Sequence, residues 1–180
     1  MTLYNLRYKV CLSLLASLAI VIHTLEASLP TPFPWLKFGL ANIITLSTIV
    51  LFGLRAGLTI TILRVFIGTL LTGTFLTPSF FLAFSGGIAS TLVLAITYKY
   101  LGRTFSIIGI SVIGAYTHTI VQVLVAYLII IKHFQVFLML PLFLIFSMMA
   151  GLLCGLGAEF VLRNLAEAPY ILKIKNTQKA

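Results

Sequence analysis

The chain of 180 residues contains no aspartate, three glutamates, three histidines and two cysteines, and only 8% of it is charged. Each shortage excludes something. Hard cations that bridge a diphosphate need clustered carboxylates, and a chain without aspartate has none to offer. Cys11 and Cys154, without clustered histidines, make no metal site, and no disulfide is expected between them. There is no P-loop, no GxSxG elbow and no HExxH helix, so neither ATP hydrolysis nor common hydrolytic chemistry can be assigned. No catalytic residue, metal or cofactor is therefore expected. The low charge also excludes a soluble domain, in which about 25% of residues are charged. With 61% hydrophobic residues and a mean hydropathy of +1.16, the chain reads as an integral membrane protein.

What is present is a series of uncharged windows, 10–25, 38–54, 65–98, 104–131 and 133–158. The third is long enough for two passes and is divided at Thr77-Pro78. Six helices are expected, over 10–29, 38–53, 56–75, 79–98, 106–131 and 137–162, as one all-α transmembrane domain across 1–165 with a short basic tail over 166–180. At about 1.5 Å per residue the second spans only about 24 Å of a roughly 30 Å hydrocarbon slab. It must thin the bilayer or begin inside a protein-lined vestibule.

The cations orient the bundle. With a cytoplasmic N-terminus, the inner segments hold Arg7, Lys9, Arg55, Lys99, Arg103, Arg163, Lys173, Lys175 and Lys179, and the outer ones hold Lys37 and Lys132. This bias puts both termini in the cytoplasm, which requires an even number of passes. The net charge of +9 is then an orientation signal, and no nucleic-acid partner is expected. Arg7 and Lys9 before an apolar run also fit a signal peptide, but the run is longer than a usual signal core and cleavage would leave five passes.

Arg64 is the twelfth cation and lies inside the apolar stretch. A charge near the bilayer centre costs roughly 2.5 kcal/mol or more, and it persists where it has partners or a polar cavity. Counted by depth, Arg64 and His118 fall near the midplane, Gln122 lies one turn outward of His118, and His23 and Glu26 approach the outer end of the first helix. Asn42 enters from the outer side. Glu159 and Glu167 belong to the inner end, so no carboxylate is expected at the depth of Arg64, and Glu26 is its one distant partner. A guanidinium in that position suits an anionic ligand arriving from outside, helped by Lys37 and the N-terminus of the short second helix. Asn42, His118 and Gln122 would orient the ligand, Gly86 and Gly87 would permit close approach on the fourth helix, and Pro32, Phe33, Pro34 and Trp35 would form part of a lid. Against this stands simple interhelical glue, on the order of 0.6 kcal/mol per hydrogen bond, which is the more ordinary role for Asn42 or Gln122 taken singly.

Small residues make smooth strips, with Ser13, Ala16, Ser17 and Ala19 on the first helix, Gly109, Gly114 and Ala115 on the fifth, and Gly151, Gly155 and Ala158 on the sixth. Such strips pack helices internally or dock another membrane subunit.

The run from Leu29 through Pro30-Thr31-Pro32-Phe33-Pro34-Trp35-Leu36-Lys37-Phe38-Gly39-Leu40-Ala41-Asn42 to Leu46 closely resembles the loop and second helix of the Gx transporter family, often labelled heptaprenyl diphosphate synthase component I. The likeness continues at Leu63-Arg64-Val65, Gly73-Thr74, Phe84-Ser85-Gly86-Gly87 and the run from Gly109 to Ala115. It departs after His118, where threonine replaces the family's usual asparagine, and before Gln122, where valine replaces glycine. The resemblance implies a six-helix bundle like the S components of energy-coupling-factor (ECF) transporters. Such proteins capture a vitamin-like molecule and associate with a transmembrane coupling subunit and paired cytoplasmic ATPases, the first helix docking through small residues. The expected protein is thus the recognition component of a bacterial importer in the cell membrane, with a small-molecule substrate and membrane lipid around it. The alternatives are a non-catalytic membrane subunit for prenyl diphosphate or quinone synthesis and a self-sufficient secondary transporter.

Overall fold

The computed structural model describes residues 3–28 and 39–166, and these form six α-helices with no strand among them. They are α1 (Leu3–Ser28), α2 (Ala41–Phe52), α3 (Leu54–Leu71), α4 (Pro78–Leu101), α5 (Ile107–Ala126) and α6 (Leu140–Ala166). A wide π turn, Tyr127–Ile131, and a tight 3₁₀ turn, Phe134–Met139, lie between α5 and α6. Five helical stretches are long and apolar enough to cross a membrane, and α2 is the short sixth helix. The chain is a multi-pass membrane protein.

The helix boundaries have local causes. Gly39 sits at φ +72°, outside the right-handed helical region, so the start expected at residue 38 moves to Ala41 and α2 is about 18 Å long. Gly53, at φ +85°, takes the chain directly from α2 into α3. Pro78 occupies the first turn of α4, where its missing N–H costs nothing. The Ser106 hydroxyl accepts from Gly109 N at 3.2 Å and caps α5. The helix expected over 106–131 is α-helical to Ala126. Beyond that it widens across the Ile129-Ile130-Ile131 run, where branched side chains crowd the preceding turn, and it closes at Lys132 in the left-handed region.

The short helix is the centre of the bundle. Eight residues of α2 are buried, from Ala41 to Leu51, as expected for a helix covered on every side. Leu46 and Ile49 pack with Leu94, Ala95, Ile110 and Ala158, while Ile44 packs with Leu15, Ala16, Ala19 and Ile60. Its buried hydroxyls are satisfied along the helix itself, with Ser47 Oγ donating to Ile43 O at 2.8 Å and Thr48 Oγ1 to Ile44 O at 2.7 Å. The other helices surround it. Thr61 and Thr91 join α3 to α4 through a 2.8 Å hydroxyl contact, and Ser90 Oγ donates to Gly114 O across α4 and α5 at 2.9 Å. Arg7, Lys9, Arg55, Lys99, Arg103 and Arg163 all belong to the Gly53 end of the bundle, and Lys132 lies at the opposite end.

The α1 strip divides. Ala16 and Ala19 are buried against α2 and α3, whereas Ser13 and Ser17 are exposed. The expectation that all four dock a partner is therefore corrected for the two alanines. The α6 strip is an internal packing face throughout, with Gly151 set against Val112 and Gly155 against Ile108.

Candidate functional site

Because α2 begins deep in the bundle, the volume beyond its first turn is left to the other helices. A cavity of about 320 Å³ lies there. Gly39, Asn42 and Leu46 form its α2 side, and α1, α3, α4, α5 and α6 supply the rest.

Arg64 on α3 is 4% exposed and borders this cavity. Its Nη2 donates to Asn42 Oδ1 at 2.6 Å. Asn42 was expected one turn below the outer surface; it and Arg64 are each eleven residues from Gly53, so the turn there sets them level on α2 and α3. The carboxamide spends its oxygen on Arg64, so its first task is to hold that side chain in place. Among the described residues Arg64 Nε has no hydrogen-bond partner, and a buried donor left unmatched is costly.

His118 approaches the same wall past Gly86. A side chain at Gly86 would meet His118 Nδ1 at 2.9 Å and Gln122 Cγ at 3.0 Å, and one at Gly87 would meet Thr61 Cγ2 at 3.1 Å. Neither glycine borders the cavity. Their expected role as ligand contacts is corrected to one of making room, for His118 and Gln122 from α5 and for α3. His118 Nδ1 is buried and also without a partner among the described residues.

The third unmatched group is Ser147 Oγ on α6, a residue 5% exposed that lines the cavity. The antiparallel register of α5 and α6 pairs Gly155 with Ile108 and Ser111, and Gly151 with Val112 and Ala115. One turn further on, Ser147 is level with residues 116–119 and so with His118. The sequence reading missed it. The available signal was its place four residues before Gly151, a hydroxyl on the packing face of an otherwise apolar helix.

Glu26 and His23, expected near the outer end of α1, are both buried and border the cavity. Glu26, expected as the distant partner of Arg64, thus borders the same cavity. Glu26 Oε1 accepts from Gly39 N, and the Cys154 thiol donates to Gly39 O at 3.2 Å. The Gly39 backbone is thus held from α1 and from α6. His23 lies against Gly68, where a Cβ would come within 2.4 Å of its ring, so Gly68 receives a neighbouring side chain. Lys37 and the lid residues Pro32, Phe33, Pro34 and Trp35 fall outside the described residues, as do 167–180 of the tail.

Gly39→Ala should lower thermal stability by about 1–2 kcal/mol through the left-handed backbone alone. The added methyl would also press on Asn42 Nδ2 at 3.1 Å. Unfolding in detergent measures the loss, and an unchanged midpoint would show that the loop end is not held as described.

Residues 15–161 match the family described as heptaprenyl diphosphate synthase component I. The chain belongs to that family. No curated protein matches it. Among solved structures it is similar to the S component of a bacterial ECF transporter, with a TM-score of 0.68 and 21% sequence identity over 90% of this chain and 96% of that one. At that identity the likeness establishes the fold, an S-component-like bundle. The family description names a synthase component, yet a chain without aspartate cannot bring metal-binding aspartates to a diphosphate. Among the described residues no group of three or more histidine, cysteine, aspartate or glutamate side chains could hold a metal ion.

Proposed function

We propose that the protein is the substrate-binding membrane component of a bacterial small-molecule importer of the ECF kind, and that its substrate is anionic. One observation carries the reading: a buried arginine beside a cavity, with one nitrogen committed to Asn42 and Nε still unmatched. A charge so costly in a membrane is kept where it has a task, and a guanidinium offers planar, charge-assisted donors to a carboxylate or phosphate. His118, Ser147, Gln122 and Asn42 orient the bound anion. Lys37 adds positive charge, and Pro32, Phe33, Pro34 and Trp35 belong to the loop that closes over it. With six passes and the cations gathered at the Gly53 end, both termini lie in the cytoplasm of a cell-membrane protein and the cavity faces outward.

The chain has no nucleotide-binding motif, so energy comes from partners, a transmembrane coupling subunit and its ATPases. Ser13 and Ser17 are the part of the α1 strip left on the outside, four residues apart as small residues are at close helix contacts. Native mass spectrometry of gently purified protein tests both halves: a retained anion together with coupling subunit and ATPases is expected. The variant with Ser13→Leu and Ser17→Leu should keep the anion and lose the partners. The family's description favours a second reading, a non-catalytic subunit of a prenyl diphosphate synthase; copurification with a soluble aspartate-rich enzyme and no bound small molecule would establish that reading instead.

A further inference from the structure

The walls of the cavity are unequal. Arg64, His118 and Ser147 face it from α3, α5 and the buried side of α6, and His23 and Glu26 from α1, but the neighbouring flank of α6 contributes Phe146, Met149 and Leu153. These three border the cavity and are at the same time 43%, 58% and 53% exposed. A side chain that meets both the cavity and the outside marks a wall one residue thick or a gap. The packing agrees: α1 lies against α2 and α3, and α6 lies against α2 and α5, so among the described residues α1 and α6 flank the cavity with α2 between them, and α2 begins at the cavity floor.

We infer that the cavity opens sideways between α1 and α6 into the surrounding lipid, and that its ligand is an amphipathic anion. A compact head binds at Arg64, His118 and Ser147, and an apolar tail leaves along Phe146, Met149 and Leu153. This rests on the reading of Arg64 as an anion site and adds to it the shape of the guest and its route. The physical basis is that lipid chains are as apolar as leucine or methionine side chains, so a tail loses nothing by remaining in the bilayer. The unmatched buried donors give the affinity to the head.

The test uses protein in phosphatidylcholine nanodiscs and two probes with one head, n-butyl phosphate and n-hexadecyl phosphate, with retention read by native mass spectrometry. A sixteen-carbon chain is about as long as one leaflet's hydrocarbon, roughly 15 Å, and fits only by leaving the bundle. Wild type should retain both, and Arg64→Ala should retain neither. Met149→Trp combined with Leu153→Trp should lower the hexadecyl-to-butyl ratio by about ten-fold, a modest effect for steric overfilling. If butyl phosphate binds and hexadecyl phosphate is refused, the cavity is closed; the inference falls and the anion site stands. Hexadecyl phosphate held equally by Arg64→Ala is annular lipid, and a ratio unmoved by the tryptophans puts the tail elsewhere; either overturns the inference. Retention of neither probe overturns it together with the anion site.

Discussion

Arg64→Ala is expected to leave a folded bundle that has lost its co-purifying anion by about 100-fold, as the loss of charged hydrogen bonds in a buried site would give. The variant should fold because the guanidinium is itself a burden in the membrane: its removal relieves a desolvation cost of roughly 2.5 kcal/mol, set against the loss of the 2.6 Å partner of Asn42 Oδ1 and of a positive charge near the buried Glu26. Arg64→Lys separates charge from geometry. A lysine carries the charge as a compact ammonium without the planar fork, so it cannot hold Asn42 and present a second donor in the same plane, and retention should fall between those of alanine and wild type. Ligand content by native mass spectrometry, with size-exclusion profile and melting midpoint as controls for folding, gives the answer. Equal retention by a folded Arg64→Ala protein would remove this residue from the site.

Gly155→Leu should break the other half of the design, the seam between α5 and α6. A Cβ at this position would stand 2.6 Å from Ile108 Cα and 3.2 Å from Ser111 Cβ. The nearest obstacle is backbone, which cannot rotate away, so the helices must separate. Overfilling a packed contact costs about 1–3 kcal/mol, and a full leucine at this approach belongs at the top of that range. Because Ser147 lies on the same helix and completes the cavity, its hydroxyl moves with the seam, and the variant should lose both stability and bound anion. Gly155→Ala should show the smaller loss of the same kind. A melting midpoint unchanged in both would contradict the close approach of α5 and α6.

Parts of the site were legible in sequence because they depend on sums along the chain. Arg64 is marked by the apolar run around it, and Asn42 and His118 by their rarity as polar groups in such runs. The pairing of Asn42 with Arg64 was not legible, since it depends on which faces α2 and α3 turn toward each other beyond Gly53. Ser147 was hidden because a serine in a membrane helix ordinarily satisfies itself on a carbonyl one turn back, and only its surroundings show that this one does not. Gly86 and Gly87 looked like ligand contacts because glycine announces a close approach without saying what approaches.

By itself the sequence determined the membrane class, the six helices, the gathering of cations toward one end and the presence of one expensive buried charge, since hydropathy and charge are properties of local segments. Only the tertiary structure decided which faces those helices show one another. The burial of Ala16 and Ala19, the central place of the shortest helix, the convergence of Arg64, His118 and Ser147 and the apolar flank beside them all depend on helix register. Register is set by side chains far apart in the chain meeting at van der Waals distance, which no window of neighbouring residues contains.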